Sequence, residues 1–296
     1  MPASPGLAGR GFAVAAGLDP GLAAELGGAC ERLGYTSLWS NDHAAVGPPS
    51  GSALETLAAL AAGAPGATLG AGALALDRHS PAAIADAVER SGLDPARLRI
   101  AVGAGRSERP LETVRAALPQ LRELLPQTPL LLAALGPRMC ELGGAAFDGV
   151  LVAWMTPPLI AAARERIAAG AAAAGRPSPP LAGYVRAAVG ADAETRLARD
   201  EGFARGLGGA WSEHFGRLAG DPGRTGVFAD YPEGIPLGLA AYDDELDVLI
   251  VRGLAAARMP MLERIAAAAA PARRQSGAGS ATISSVSRET TAPNAK

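Results

Sequence analysis

The stretch ATLGAGALALDRHSPAAIADAVERS, residues 67–91, contains the unit from which most of the chain is built. Its first half is a short apolar run without polar alternation, which is typical of a parallel strand covered on both faces. Its second half is an Ala-rich segment of helical length. The helix is expected to begin after Ser80, whose side chain can cap it, and Pro81 suits its first turn. The stretch therefore predicts a strand followed by a helix.

The same unit recurs along the chain. Apolar strands are predicted at 11–17, 36–40, 67–74, 98–104, 129–135, 149–154, 183–189 and 246–252. Helices are predicted after them at 20–33, 53–63, 81–91, 110–125, 137–145, 157–174, 192–208 and 256–269. Eight βα units in succession, without a long hairpin signal, favour a (β/α)8 TIM barrel over an open doubly wound sheet. The number of units decides between these two folds.

Two regions lie outside the repeat. Residues 209–245 hold much of the aromatic content, and we expect them to form a pair of short helices with a Pro/Gly loop over one end of the barrel. Residues 271–296 lack periodicity and large apolar side chains, which indicates a disordered tail. The predicted organisation is therefore a single barrel domain at 1–270 and a C-terminal tail at 271–296.

Composition excludes several classes of protein. The 27 Lys and Arg residues nearly balance the 29 Asp and Glu residues, which argues against a nucleic-acid or membrane-surface binder. Cys30 and Cys140 lack metal-type spacing, so neither a disulfide framework nor a zinc site is expected. We predict no signal peptide, and Pro65-Gly66 divides the longest charge-free window, which opposes a membrane span. The expected compartment is the cytoplasm.

Polar residues follow the second predicted strand abruptly, in the sequence Asn41-Asp42-His43. In a (β/α)8 barrel the active site forms at the carboxyl ends of the strands, so these side chains are expected to project into a common pocket. The alternative is a capping or loop cluster in which Asp42 fixes a turn and His43 faces solvent. Position alone does not decide between these interpretations.

Glycines follow or end the next three predicted strands, in the segments 70–73, 102–105 and 135–137. Glycine allows a backbone to approach a planar ring or a phosphate closely. The helix that begins at Pro137 is the best candidate for binding a phosphate, because a helix N-terminus offers backbone N–H groups to an anion. Tight βα turns also produce such glycines, but three around one rim suggest a binding site.

Four segments in this order and spacing resemble the luciferase-like monooxygenase superfamily. They are ERLGYTSLWSNDH, ATLGAGALALDRHSPAAIADAV, LRIAVGAG and PLLLAALGPRMCELGGAAFDGVLVAW. The chain looks closest to the deazaflavin-dependent oxidoreductases of that superfamily, which use coenzyme F420. The similarity extends over about residues 11–176 and returns near residues 247–257. It implies a TIM barrel with a flavin-type cofactor, a small-molecule substrate and, by analogy, a homodimer.

The resemblance also implies roles for particular residues. Asp42 would contact the cofactor, and His43 would face the reacting ring and the substrate as the catalytic residue. Gly72 and Ala73 match a strand-three bulge, often with a non-proline cis peptide, that lies behind the ring. Leu135 and Gly136 match backbone donors to the cofactor phosphate, and Ala153 and Trp154 match the strand-six end beside them. Gly103 and Gly105 at the end of strand four are further candidate cofactor-binding residues, from the glycine pattern rather than the resemblance.

The chain also departs from the family pattern. The insertion between strands four and five is shortened, because residues 106–127 hold little more than one helix. Arg106 stands where some deazaflavin dehydrogenases have an acid, and Ala153 replaces a hydroxyl residue that often binds phosphate. F420-dependent hydride transfer is the favoured function. An FMN-dependent monooxygenase and a non-catalytic flavin-binding relative remain alternatives, and a pocket filled by side chains would favour the latter.

Four further residues carry separate expectations. His79 and His214 are interpreted as structural, His79 in a loop near the Ser80 cap and His214 on an amphipathic helix. Arg186 and Arg252 lie in apolar strands, where a charge must be paired or point into the pocket. They are expected either to touch the phosphate or acidic tail of the cofactor, or to form ion pairs, for example with Asp148 or Asp247.

Overall fold

The computed structural model describes residues 8–41, 52–218, 225–255 and 259–272. Its strands are β1 (Gly9–Ala15), β2 (Ser37–Asn41), β3 (Thr68–Ala75), β4 (Leu98–Gly103), β5 (Leu130–Ala134), β6 (Gly149–Ala153), β7 (Leu181–Val189), β8 (Gly226–Ala229) and β9 (Val248–Gly253). Its helices are α1 (Pro20–Arg32), α2 (Ala53–Gly63), α3 (Pro81–Ser91), α4 (Pro110–Leu124), α5 (Pro137–Ala146), α6 (Pro157–Ala173), α7 (Ala193–Arg205), α8 (Ala210–Leu218), α9 (Gly234–Asp243) and α10 (Met259–Ala268).

Eight parallel strands close into a barrel. The order runs from β1 to β7 through successive neighbours, and β9 then pairs with both β7 and β1. Helices follow the strands and cover the outside of the barrel, so the strands are buried on both faces. The predicted (β/α)8 fold is therefore confirmed, including the single helix α4 between β4 and β5.

The ninth strand, β8, is an addition that the sequence did not predict. It pairs with the second half of β7, where Arg186 and Ala187 also pair with β9 on the opposite side. Strand β6 pairs only with the first half of β7, at Leu181–Tyr184, so β8 continues along the edge that β6 leaves. The predicted pair of short helices in 209–245 is present as α8 and α9, with β8 between them.

The barrel contains two hydrophobic layers. The larger layer lies between the strands and the surrounding helices. The smaller one fills the inside of the barrel with Ala13, Trp39, Ala101, Leu131, Leu151, Ala182, Tyr184, Val248 and Ile250. Within it, the rings of Trp39 and Tyr184 meet edge to face, with centroids 6.1 Å apart. The interior is therefore solid below the strand ends, and a ligand must bind above this layer.

Glycines set the distance between neighbouring outer helices. A Cβ atom at Gly144 of α5 would lie 1.9 Å from the carbonyl oxygen of Ile167 in α6, and one at Gly170 of α6 would lie 2.0 Å from that of Glu141 in α5. These two helices consequently pack backbone against backbone. In the described ranges, none of the helices has the length and apolar character needed to cross a bilayer.

Candidate active site

A cavity of about 880 Å³ opens at the carboxyl ends of the strands. Its floor includes Leu151 and Tyr184 from the inner layer of the barrel, and its sides come from the loops after β3, β4 and β5. Helices α7 and α8 also contribute to the lining, with Phe203, Ala210 and Glu213. The described residues thus leave a space large enough for a cofactor-sized molecule at the end of the barrel where such enzymes bind their ligands.

One wall of this cavity consists of residues with little or no side chain. Gly72 and Ala73 of β3, Gly103 of β4, Ala133 of β5 and Ala153 of β6 all line it. A Cβ atom at Gly103 would meet its nearest neighbours at 3.4 and 3.8 Å, which are ordinary contacts, so the glycine leaves real space. Four adjacent strands therefore present their backbones almost directly to the cavity. We call these five residues the small-residue wall.

The peptide bond between Gly72 and Ala73 is cis, and the register between β3 and β4 shifts between Gly72 and Leu74. The Tyr184 hydroxyl donates a hydrogen bond to the Gly72 carbonyl oxygen across the barrel at 2.8 Å. Burial raises the pKa of Tyr184 well above its usual value, so the hydroxyl stays protonated and can donate. Tyr184 thereby fixes the backbone that forms the first part of the small-residue wall.

The loop after β4 is held by Asp77, which follows β3. The Arg106 backbone N–H donates to the Asp77 carboxylate at 2.9 Å, and Gly105 adopts a φ of 64°. A Cβ atom at Gly105 would lie 1.8 Å from an Asp77 oxygen. Glycine is required here both by the left-handed backbone and by the space that the carboxylate occupies. Gly105 therefore shapes the rim of the cavity through its conformation.

The N-terminus of α5 borders the cavity with two kinds of positive group. Pro137 occupies the first helical position and has no N–H, which leaves the N–H groups of Gly136 and Arg138 as the donors available at this end. The Arg217 side chain donates to the Leu135 carbonyl oxygen at 2.9 Å, and its guanidinium lies 3.5 Å from the position of a Cβ atom at Gly136. Helix dipole and guanidinium together favour an anion here.

His214 of α8 connects two strand ends. Its Nδ1 lies 3.0 Å from the Leu135 carbonyl oxygen and its Nε2 lies 2.6 Å from that of Trp154. Burial lowers the pKa of His214, and the nearby Arg217 and Arg205 lower it further, although the two carbonyl contacts raise it. Burial is the largest of these effects, so the pKa is lowered overall and the imidazole is neutral with one donating nitrogen. The structural role predicted for His214 fits these contacts.

Arg186 of β7 lines the cavity beside the small-residue wall, because β7 pairs with β6. Its guanidinium stacks 3.5 Å from the centroid of the Trp154 ring, and its Nε lies 3.4 Å from the Asp200 carboxylate. Burial lowers the pKa of Arg186 to about 10, partly offset by Asp200 and lowered further by Arg252. The expected pairing with Asp148 or Asp247 is wrong. Those carboxylates bond Arg122 and Arg164 at the other ends of the strands.

Most of the predicted site residues come together at this cavity. Gly72, Ala73, Gly103, Gly105, Leu135, Gly136 and Ala153 line it. Trp154 lies beneath Arg186, is 2% exposed and has a left-handed φ of 58°, an uncommon conformation for a non-glycine residue. Asp42 and His43 lie outside the described residues, although their neighbour Asn41 lines the cavity.

The sequence did not identify Tyr184, Asp77 or Arg217 as parts of the site. Tyr184 lies within a continuous apolar run, and Arg217 lies on an ordinary amphipathic helix, so neither carries a local signal. Asp77 does carry a sequence signal, because a carboxylate two residues beyond a buried strand indicates a position near the strand end where the site forms. Among the residues that the structure describes, no three His, Cys, Asp or Glu side chains form a group that could hold a metal ion.

The fold is a closed (β/α)8 barrel, and its cavity at the carboxyl ends of the strands is bounded by exposed backbone and arginine side chains. Residues 103–231 match the family model described as luciferase-like monooxygenase. The resemblance that the four sequence segments suggested is thereby confirmed. The comparison with curated protein sequences found no significant match.

Three solved structures illustrate the range of similar barrels. One is an F420-dependent secondary alcohol dehydrogenase in complex with an F420-acetone adduct. It is 14% identical in sequence and has a TM-score of 0.66, and the aligned part covers 88% of this chain and 99% of that dehydrogenase. A monooxygenase from Streptomyces bottropensis is 15% identical in sequence and has a TM-score of 0.62. The aligned part covers 87% of this chain and 96% of that monooxygenase. A riboflavin lyase with modified FMN is 12% identical in sequence and has a TM-score of 0.59. The aligned part covers 87% of this chain and 90% of that lyase. At these identities the likeness establishes the fold.

Proposed function

We propose that this protein is an oxidoreductase that binds coenzyme F420 in the cavity and transfers a hydride between it and a small organic substrate. The observation that carries the proposal is the small-residue wall, because it gives a flat, planar ring direct access to backbone along four strands. When bound, the deazaflavin would supply the hydride-carrying ring. The protein's own part is to hold the ring, exclude water and move a proton.

Different residues are proposed to contact the ring of the cofactor and its phosphate. Gly72, Ala73, Gly103 and Ala153 would lie against the ring, while Gly105 shapes the rim beside it. Trp154 would support this end of the site from below, through Arg186. At the phosphate end the backbone at Leu135 and Gly136 would bind, beside the guanidinium of Arg217.

Charge around the cavity favours a strongly anionic cofactor. Apart from Arg186, which pairs with Asp200, the lining arginines outnumber the lining carboxylates, and they are Arg78, Arg106, Arg138 and Arg217 against Asp77 and Glu213. Coenzyme F420 carries an acidic tail beyond its phosphate, whereas FMN ends at the phosphate. The excess of arginine therefore supports the deazaflavin over FMN, since each additional carboxylate finds a cation near the rim.

The FMN-dependent monooxygenase is the second candidate, because the matching family model and the Streptomyces structure are both monooxygenases. A pocket filled by side chains would have favoured the non-catalytic flavin-binding alternative. The open volume of about 880 Å³ among the described residues argues against it. We therefore retain two catalytic candidates that differ in cofactor.

Fluorescence titration of the purified protein with F420 and, separately, with FMN tests the proposal. We expect F420 to bind at least about tenfold more tightly than FMN. Gly103→Leu should abolish binding because its side chain would occupy the space beside the small-residue wall, where the ring is proposed to lie. Ala172→Leu on the exposed face of α6 is the matched control and should bind normally. Tighter binding of FMN would contradict the proposed deazaflavin and favour the second candidate.

The sequence-derived pair Asp42 and His43 supplies the proposed proton chemistry. If His43 provides or takes the proton that accompanies hydride transfer, His43→Ala should keep most of the cofactor affinity. Its turnover should fall by roughly 10²–10⁴, the scale expected for loss of a general acid or base. Asp42→Ala should instead lose affinity together with turnover, because Asp42 is proposed to contact the cofactor. Equal loss of both quantities in both variants would contradict these separate roles.

A further inference from the structure

A small recess adjoins the main cavity near the carboxyl ends of β7 and β9. Its volume is about 20 Å³, enough for one water-sized group. Two charged residues, Asp200 and Arg252, line the recess but not the main cavity. The residues that line both are Asn41, Arg186, Phe203, Leu207 and Trp211. The recess therefore adds the charged groups of Asp200 and Arg252 to those that line the main cavity.

Two guanidinium groups meet at this recess. Arg186 of β7 and Arg252 of β9 occupy paired positions on adjacent strands. Both are two residues beyond an inner-layer residue, Tyr184 and Ile250 respectively, so both project toward the inside of the barrel. The pair thus forms one layer of the barrel end, directly above the solid interior.

The charges in this layer do not balance among the described residues. Asp200 is the carboxylate that bonds Arg186, and the same carboxylate also interacts electrostatically with Arg252. The Arg186 side chain is 9% exposed, and within the described ranges its Nη1 has no hydrogen-bond partner. A buried guanidinium donor without an acceptor is costly, and a planar anion is the acceptor that fits its geometry.

We propose that Arg186 and Arg252 form an anion subsite that binds the carboxylate of an organic-acid substrate. This inference rests on the proposed function for the position of the ring and adds the substrate class. A carboxylate where the recess opens into the cavity, with one oxygen in the recess, would complete two positive and two negative charges with Asp200. It would place the body of the substrate between the recess and the small-residue wall, where the ring is proposed to lie.

Benzoate and benzamide test the subsite, because the two probes share their ring and size and differ in charge. In calorimetric titrations of the full chain, benzoate should bind at least about tenfold more tightly than benzamide. Tryptophan fluorescence should respond to benzoate, since Trp154 stacks on Arg186 and Trp211 lines the recess. Equal affinity for the two probes would overturn the proposal.

Substitutions of the two arginines test whether a loss of benzoate binding comes from the lost charge or from a folding defect. Arg186→Met and Arg252→Met should each remove the preference for benzoate, whereas Arg186→Lys should retain part of it because the charge remains. Arg115→Met, on the exposed face of α4, is the matched control and should behave as wild type. A preference that survives in both methionine variants, with circular dichroism unchanged, would refute a role for the arginines.

Titrations with F420 present distinguish a substrate from the acidic tail of the cofactor. Benzoate and F420 should bind together, each leaving the affinity of the other nearly unchanged. Mutual exclusion would assign the arginines to the cofactor tail and overturn the substrate class. If F420 fails to bind while Arg186→Met still removes the benzoate preference, the proposed cofactor is wrong and the anion subsite stands.

Discussion

At the scale of single residues, the glycines around the cavity differ in whether a larger side chain can replace them. Gly105 cannot be replaced without displacing Asp77, because its φ is left-handed and the carboxylate occupies the side-chain position. Gly136 is different. Its φ of −126° is extended, and an added Cβ atom would meet only Arg217 at ordinary distance. Substitution at Gly136 can therefore probe ligand binding without disturbing the fold.

We predict that Gly136→Val lowers cofactor affinity at least tenfold, about 1.4 kcal/mol, because the branched side chain obstructs the backbone N–H groups at the start of α5. Fluorescence titration measures this loss, and thermal unfolding checks that the variant is folded. Gly136→Ala is the graded control and should lose less affinity. Unchanged binding by a folded Gly136→Val variant would move the phosphate site elsewhere.

His214 makes stability depend on pH. Because burial lowers its pKa in the folded state below the ordinary value of 6.5, the unfolded chain takes up a proton first on acidification. Its contribution to stability is complete above the unfolded pKa and is lost as pH falls toward the folded pKa. Relative to His214→Gln, wild type should therefore lose free energy of unfolding between about pH 7.5 and 5 in denaturant titrations. A relative gain would show that the two carbonyls hold an imidazolium.

At the scale of elements, helix packing follows from where glycine is placed. Gly170→Ala should destabilise the protein by about 1–3 kcal/mol, because the added methyl group would clash with the Glu141 carbonyl and separate α5 from α6. Gly202→Ala in α7 is the matched substitution, since no atom lies within 4 Å of its Cβ position. It should stabilise by up to about 1 kcal/mol through helix propensity. Chemical denaturation of both variants measures the contrast, and equal effects would contradict backbone contact between α5 and α6.

Individual elements also show what the sequence could reveal. Strands such as β4 and β5 are apolar throughout because helices and the inner layer cover both faces, and this makes them recognisable. Strand β8 has four residues, GVFA, in a segment rich in Pro and Gly. It pairs with β7 across a gap of about 40 residues. No local pattern distinguishes so short a strand from a loop.

At the scale of the whole molecule, the order of strands and the position of the cavity could be predicted, whereas many contacts in the site could not. Eight βα units determine a closed barrel, and the barrel determines which strand ends meet. The bonds that hold the site join distant residues, such as Tyr184 with Gly72 and His214 with Leu135. Each depends on side-chain orientation across the barrel, which one sequence without tertiary structure does not specify.

The chain beyond residue 272 is predicted to be dispensable for the barrel. The strands close through β9 and β1, and α10 covers them before this point. The sequence from residue 273 onward has no helical or strand periodicity. Deleting residues 273–296 should leave the melting temperature and cofactor affinity nearly unchanged. A clear fall in melting temperature would show that the deleted segment packs on the barrel.

The small-residue wall also has an evolutionary consequence. A single nucleotide change turns a glycine or alanine codon into a valine codon, so each wall position is one mutation away from a bulkier side chain. Such changes at Gly103 or Ala133 would reshape the space beside the proposed ring while leaving the closure of the barrel intact. Related barrels could thus diverge in the molecules they accept through isolated coding changes, without insertions or a new backbone.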